Sequence, residues 1–114
     1  MNDRSALAWL SDARIFALEA QEFALGLSVE AFDGHRREQL AVRYCLAVIG
    51  EALNEVPRDI RALAPEIPWM AIKALRNRLI HSFWLIDTGI ILRIAQADIG
   101  PLVASIDRLT EKIK

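Results

Sequence analysis

The sequence predicts an all-α fold, an up-and-down bundle of four to five helices in one domain over residues 1–114. Apolar residues recur with the 3.6-residue period of amphipathic helices, and the alternation typical of strands is nearly absent. Most of the five glycines and four prolines fall between these periodic stretches, where turns are expected. A chain of this length can bury a single modest core.

The first helix is expected over residues 5–25, with Ser5 as its N-cap and Gly26 at its C-terminal stop. The stripe predicted to face the core contains Leu7, Leu10, Arg14, Leu18 and Leu25. Residues 28–34 form a connector in which we expect one helical turn at most.

The second long helix is expected over residues 35–56, and it is apolar on more than one face. This pattern is typical of a helix that packs on several sides, so Tyr44 and Cys45 are interpreted as core residues. Pro57 ends this helix, and a short helix is expected over residues 58–63.

A further helix is expected from Pro68 to residue 82 or 83, because proline suits a first helical position. Trp69 is interpreted as an aromatic anchor in the core. The last helical region follows Asp87 and contains Gly100-Pro101 in its middle. Because proline removes a backbone hydrogen bond, we expect a kink or break at residues 98–101.

Composition restricts the function classes. No apolar run reaches the ~18 residues of a membrane span, so the 54% hydrophobic content indicates a core and a subunit interface, and we expect a homodimer. The lone Cys45 and an N-terminus without a signal-peptide pattern indicate a cytoplasmic protein. A net charge of −1 argues against a general nucleic-acid binder, so any RNA contact must come from a local patch.

The stretch from Leu75 to Trp84 brings together a guanidinium, an amide and an imidazole. Asn77 and His81 are four residues apart and share one helix face, and the long Arg76 side chain can reach that face. An arginine binds phosphoryl oxygens in a fork, and a histidine can transfer a proton near neutral pH. These residue types favour chemistry on a phosphate ester, although a structural cluster that closes the helix end explains them equally.

Glu51 and the arginines of the His35-Arg36-Arg37 patch are the supporting candidates, each with an alternative interpretation. Glu51 either orients Arg76 or His81, or lies in solvent and pairs with Arg43 or Arg58. Arg36 and Arg37 either face a phosphate or form a solvated surface. We expect no metal and no cofactor, because the sequence has neither a ligand cluster nor a phosphate-binding glycine loop.

Four motifs resemble a known family. Arg76-Asn77-x-x-x-His81 resembles the R-x4-6-H signature of the HEPN superfamily. The segments that resemble its HepT-like branch (DUF86) are Val48-Ile49-Gly50-Glu51-Ala52, Ile67-Pro68-Trp69 and Ile86-Asp87. The resemblance implies an all-helical dimer that acts as a metal-independent endoribonuclease toxin of a type II/VII toxin–antitoxin system. It also implies a minimal nucleotidyltransferase as the antitoxin partner.

Phe83 departs from the family pattern. Many HepT-like toxins have a tyrosine at this position, and its hydroxyl accepts nucleotides from the antitoxin. A phenyl ring has no oxygen to modify, so control by modification at residue 83 is excluded. The partner could still act by covering the site.

We therefore predict a ribonuclease in which Arg76 and His81 are catalytic, supported by Asn77, Glu51 and the two arginines of the positive patch. A twofold dimer would bring two copies of His81 into one cleft and so supply both a base and an acid. One alternative is a non-catalytic helical module that docks the nucleotidyltransferase, and another is a structural oligomer.

Overall fold

The computed structural model describes residues 4–114, so the first three residues of the predicted domain lie outside the described part. Its α-helices are α1 (Ala6–Ala24), α2 (Val29–Gly34), α3 (Arg36–Asn54), α4 (Arg58–Arg61), α5 (Trp69–His81), α6 (Thr88–Arg93) and α7 (Ile99–Ile113). A 3₁₀ turn at Phe83–Leu85 follows α5, and a π-helical segment at Ile94–Asp98 joins α6 to α7. No strand occurs in this part of the chain, which confirms the all-α prediction.

Helix α3 lies at the centre of the bundle, between α1 and α5, and α1 also packs against α7. The core therefore includes large buried residues from several helices, among them Leu10, Phe32, Leu53, Ile91 and Ile106. Helix α5 also borders an apolar groove of about 510 Å³, whose other walls come from α3, α6 and α7. Helix α5 is thus held firmly on α3 and is open on its other sides.

The predicted helix ends are largely confirmed. The Ser5 hydroxyl accepts a hydrogen bond from the Ala8 N–H at 3.2 Å, and Ser28 caps α2 through Ala31 in the same way. Gly26 has a φ of 74°, the left-handed conformation that favours glycine after a helix. Pro68 directly precedes the first residue of α5.

The predicted core stripe of α1 is wrong except at Leu10. The buried face of α1 consists of Leu10 and four alanines, Ala13, Ala17, Ala20 and Ala24. Leu7, Leu18 and Leu25 are instead exposed, and the Arg14 guanidinium pairs with Asp107 of α7. Alanine faces let two helices approach closely, so packing against α3 overrides the preference for burying the larger leucines.

Of the predicted kink or break at residues 98–101, the break is wrong. The chain stays helical from Thr88 to Ile113, and the register changes earlier, in the π-helical segment, where the Ile99 N–H donates to the Ile94 carbonyl. Pro101 follows directly after this segment, three residues beyond its last residue, Asp98. By length and composition this 26-residue stretch could cross a membrane, as could many core helices, and here it packs in the bundle.

Two of three single-residue predictions for the core are confirmed. Cys45 is buried, and the Trp69 ring packs against the core while its Nε1 donates to the Ala64 carbonyl at 3.0 Å. Tyr44 was predicted in the core, but its side chain is 65% exposed and meets Phe16 edge to face. It lies at the edge of α3 beside α1, with most of its side chain open to solvent.

Candidate active site

The Arg76–His81 motif occupies the last two turns of α5. Leu79 is buried, and Ile72 and Leu75 pack against the core, so one side of α5 is fixed to the bundle as predicted. Arg76 and Asn77 are half-buried beside α3, whereas His81 is exposed at the end of the helix. The three polar groups therefore lie along one edge of the bundle.

Arg76 is held by Glu51 of α3. The Nε and Nη2 groups of Arg76 both donate to Glu51 Oε2, at 2.9 and 2.6 Å. The side chains are 29% and 48% exposed, so solvent screens the pair and its contribution to stability is under about 1 kcal/mol. The contact thus fixes the direction of the guanidinium more than it stabilises the fold, and it pairs Glu51 with Arg76 rather than with Arg43 or Arg58.

Asn77 also contacts Arg76. Arg76 Nη1 donates to the Asn77 Oδ1 at 2.8 Å, so the amide does not hold His81. A guanidinium has five N–H groups, and these contacts use three of them. One N–H on each of the terminal nitrogens remains to bind a ligand such as a phosphoryl oxygen.

Gly50 is the site residue that sequence reasoning missed. A Cβ built on Gly50 would lie 2.5 Å from the Cβ of Arg76 and 3.0 Å from its Cγ. These atoms are next to the α5 backbone and cannot move aside as a side-chain tip could. Gly50 therefore allows α3 and α5 to approach closely at the position where Glu51 binds Arg76. The sequence feature that could have identified Gly50 was its position directly before Glu51, the only acid in an apolar stretch.

His81 differs from Arg76 because nothing in residues 4–114 holds it. Its imidazole is exposed and makes no hydrogen bond or ion pair within this part of the chain. His81 is also the last residue of α5. The ring can therefore accept or donate a proton toward a bound molecule.

The structure places Arg36 and Arg37 at the other end of α3 from Glu51, so they do not join the Arg76 cluster. Arg37 is almost fully exposed and lies 3.6 Å from Glu38. Arg36 lines a cavity of about 410 Å³ together with the turn that follows His81. Only Arg36 of this pair thus borders the motif region.

Arg43 is a second residue that sequence reasoning missed. Its Nη1 and Nη2 donate to the carbonyls of Phe83 and Ile86, at 3.3 and 3.0 Å. Burial lowers the pKa of the Arg43 guanidinium, and the nearby Asp87 opposes that shift. Arg43 therefore fixes the backbone that follows His81, and an isolated charge inside an apolar helix was the signal for it.

The outward side of α3 carries a strip of apolar residues that leads to the site. Leu40 and Tyr44 are exposed and Ala47 is half-buried, and they precede Glu51 at helical spacing. Leu40 and Tyr44 are largely open to solvent, although the Tyr44 ring meets Phe16 of α1 and Ala47 packs against the core.

The described residues offer little other chemistry. No group of three His, Cys, Asp or Glu side chains within residues 4–114 could hold a metal ion. Burial, together with Glu19, raises the pKa of the Cys45 thiol to about 11, so this cysteine is protonated at neutral pH and is a poor nucleophile.

Comparison with known proteins identifies the family of the chain. Residues 16–109 match the HepT-like ribonuclease family. A protein of Thermococcus cleftensis named "Probable ribonuclease HepT" is 33% identical over 89 residues, which are 78% of this chain and 81% of that protein. A protein of Methanocaldococcus jannaschii named "Putative RNase" is 28% identical over 114 residues, all of this chain and 94% of the relative.

A second "Putative RNase" of Methanocaldococcus jannaschii is 27% identical over 114 residues, all of this chain and 98% of that protein. No solved structure matches the chain. The family match covers most of the sequence, including α3 and α5 with all residues of the Arg76 cluster. It confirms the resemblance drawn from the sequence motifs: the chain belongs to the HepT-like ribonuclease family.

Proposed function

We propose that this protein is an endoribonuclease that cuts RNA without a metal ion, at a cleft shared by two chains. The observation that carries the proposal is the arrangement on α5. Arg76 is fixed by Glu51 and Asn77 with two N–H groups to spare, and the exposed His81 imidazole follows on the same edge. A charge-stabilising cation and a proton-transfer group are what RNA cleavage requires.

In the proposed reaction, the 2′-hydroxyl oxygen of RNA attacks the adjacent phosphorus and the bond from phosphorus to the 5′-oxygen breaks. One His81 takes the proton of the 2′-hydroxyl, and a second, protonated His81 gives a proton to the leaving 5′-oxygen. Arg76 stabilises the negative charge on the phosphorane oxygens. The products are a 2′,3′-cyclic phosphate and a 5′-hydroxyl, and no metal is required because the nucleophile belongs to the RNA.

The second His81 comes from a second copy of the chain in this proposal. His35 bonds to the Ala31 carbonyl at the far end of α3, so one chain supplies a single histidine to the site. The apolar strip of Leu40, Tyr44 and Ala47 lies next to Glu51 and would suit a twofold interface. Pairing two such strips would bring two copies of the Arg76 cluster close to each other.

As the biological role we propose a cytoplasmic toxin whose antitoxin is a minimal nucleotidyltransferase. The family match and the relative named as ribonuclease HepT support a ribonuclease, and the toxin role and its partner follow from the resemblance of the sequence motifs to HepT-like toxins. Because Phe83 offers no hydroxyl, the partner would neutralise this protein by covering the cleft rather than by modifying residue 83.

The second candidate is a non-catalytic module that docks the nucleotidyltransferase. The observation that favours it is the ion pair itself, because Glu51 already neutralises the charge of Arg76. In that case the cluster would be structural, and His81 would be dispensable.

The test is RNA cleavage by the purified protein with a chelator present, using tRNA and messenger RNA as substrates. His81→Ala, with its fold checked by circular dichroism, is the control. Cutting by the wild type alone, with cyclic-phosphate ends, is the expected result. No cutting at enzyme excess would favour the docking module, and equal cutting by both proteins would contradict the role of His81.

A further inference from the structure

The turn after His81 exposes three large apolar side chains in a row. Phe83, Trp84 and Leu85 are 58%, 67% and 62% exposed. The rings of Phe83 and Trp84 meet edge to face, with centroids 5.3 Å apart. Consecutive exposed aromatic residues are unusual on a soluble surface and typically mark an interaction site.

The backbone of this turn is held, although its side chains are exposed. Arg43 binds the carbonyls of Phe83 and Ile86, and the Ile86 side chain is buried in the core. Arg78 of α5 adds a long contact to the Leu85 carbonyl at 3.5 Å. The aromatic rings therefore extend from an anchored support, which limits the entropy that a ligand must remove on binding.

The charge around the turn favours an anionic, aromatic ligand. The 410 Å³ cavity beside it is lined by Phe83, Trp84, Arg36 and Arg43, with Asp87 as its one acid. Arg36 is exposed and makes no ion pair within residues 4–114, so its guanidinium is available to a phosphate. Aromatic faces beside an arginine are the usual means of binding single-stranded RNA, whose unpaired bases stack on the rings.

The position of the turn connects it to the proposed active site. Trp84 is three residues after His81, so their Cα atoms lie within about 11 Å of each other. A nucleotide next to the reacting phosphate can span such a distance. A protein partner would also suit exposed rings, but the free arginine beside them favours RNA.

We infer that Phe83, Trp84 and Arg36 form a subsite for a nucleotide that flanks the cleaved bond. This inference rests on the proposed function. Trp84 stacks on the unpaired base, Phe83 supports the Trp84 ring, and Arg36 binds the adjoining phosphate. The subsite supplies the local RNA contact that a net charge of −1 does not supply.

The test measures RNA binding in a His81→Ala background, so that binding is separated from cutting. The probe is a fluorescein-labelled single-stranded RNA of mixed sequence, followed by anisotropy. Trp84→Ala should raise Kd about 10-fold, because stacking contributes most of the affinity for one base. Trp84→Phe keeps a ring and should stay within about 3-fold of the parent.

Two further comparisons identify what is bound. An abasic strand of the same length should bind the parent and Trp84→Ala equally, since it has no base to stack. Arg36→Gln should reduce the salt dependence of Kd by about 0.7 in log–log slope, one single-strand phosphate contact. Phe23→Ala removes an exposed ring from α1 and should leave Kd unchanged.

The subsite would be overturned if Trp84→Ala bound RNA as tightly as the parent. It would also be overturned if this variant changed the mass measured by light scattering while its affinity for RNA stayed the same, because the ring would then be a protein interface. If the wild type cuts RNA but the RNA affinity does not depend on Trp84, only the subsite would be contradicted. If RNA binding depends on Trp84 but the wild-type protein cuts no RNA, Trp84 would be part of an RNA-binding site, and the ribonuclease proposal, with the placement of the site beside a cleaved bond, would be wrong.

Discussion

The two ends of the motif on α5 differ in how they are held. Arg76 makes three hydrogen bonds to Glu51 and Asn77, and it lies against Gly50 of the central helix. His81, five residues later, is exposed and has no partner in the described chain. One chain thus fixes the group that would stabilise charge and leaves open the group that would move the proton.

This difference indicates that Arg76 and His81 have different roles in the proposed site. The direction of a guanidinium matters in the transition state, so fixing it in advance reduces the cost of binding a phosphate. A histidine that transfers protons must meet its substrate, and the open end of α5 allows this. We expect changes at His81 to affect cleavage alone, and changes around Arg76 to affect folding as well only where they disturb the packing of α5 on α3, as at Gly50.

The largest expected effect is that of His81→Ala. We expect cleavage to fall about 10²- to 10⁴-fold, the usual contribution of a general acid or base. The melting temperature should stay within about 2 °C of the wild type, because the exposed ring makes no internal hydrogen bond. Initial rates and thermal unfolding measure the two quantities. A stability loss as large as that of a core variant would contradict the open position of His81.

Gly50→Ala should reduce stability and cleavage together. Its Cβ would overlap Arg76 at 2.5 Å and push α5 away from α3. We expect a loss of about 1–3 kcal/mol in the free energy of unfolding, as for an overpacked core, measured by urea denaturation. Gly34→Ala is the matched control, because nothing lies within 4 Å of the added methyl group. Equal stability of the two variants would mean that the close approach is unimportant.

Glu51→Gln should slow cleavage while leaving the stability of the protein nearly unchanged. The amide keeps the shape but loses the charge that fixes the guanidinium, so we expect about a 10-fold slower reaction. The free energy of unfolding should change by less than about 1 kcal/mol, since the pair is half exposed. Glu55→Gln is the control, because Glu55 is exposed and lies four residues after Glu51. A faster reaction in Glu51→Gln would mean that the carboxylate restrains Arg76 rather than positions it.

The smallest effect is expected for Asn77→Ala. It removes one of the three contacts to Arg76, and Glu51 still holds the other side. Cleavage should slow about 3-fold, in line with one hydrogen bond of about 0.5–1.5 kcal/mol. A loss as large as that of His81→Ala would indicate that Asn77 contacts the RNA directly.

The sequence predicted the helices well because their boundaries depend on local chemistry, such as the Ser5 cap and the turn at Gly26. The sequence-based prediction failed where tertiary packing determines which residues are buried. Hydrophobicity alone favoured the leucines of α1 as its buried residues, whereas close contact between helices favours its alanines. The π-helical segment and the exposure of Tyr44 depend on neighbouring helices that a local pattern does not contain.

The site was predicted in part. Helical spacing and the family motif identified Arg76, Asn77 and His81, since positions on one helix follow from the sequence. Its contacts could not be assigned, because the partner of Glu51 depends on how α3 and α5 pack. Gly50 and Arg43 were missed for the same reason. The dimer, the antitoxin partner and the catalytic roles stay predictions.

The most direct test of the shared cleft is a dimer with one defective chain. Wild-type and His81→Ala chains with different affinity tags are co-expressed, and the mixed dimer is isolated by two successive purifications. If base and acid are two copies of His81, the mixed dimer should cut RNA at less than about a tenth of the wild-type rate, because its shared cleft lacks one of the two proton-transfer groups. A mixed dimer with half the wild-type rate would mean that each chain has its own complete site, and the shared cleft would be wrong.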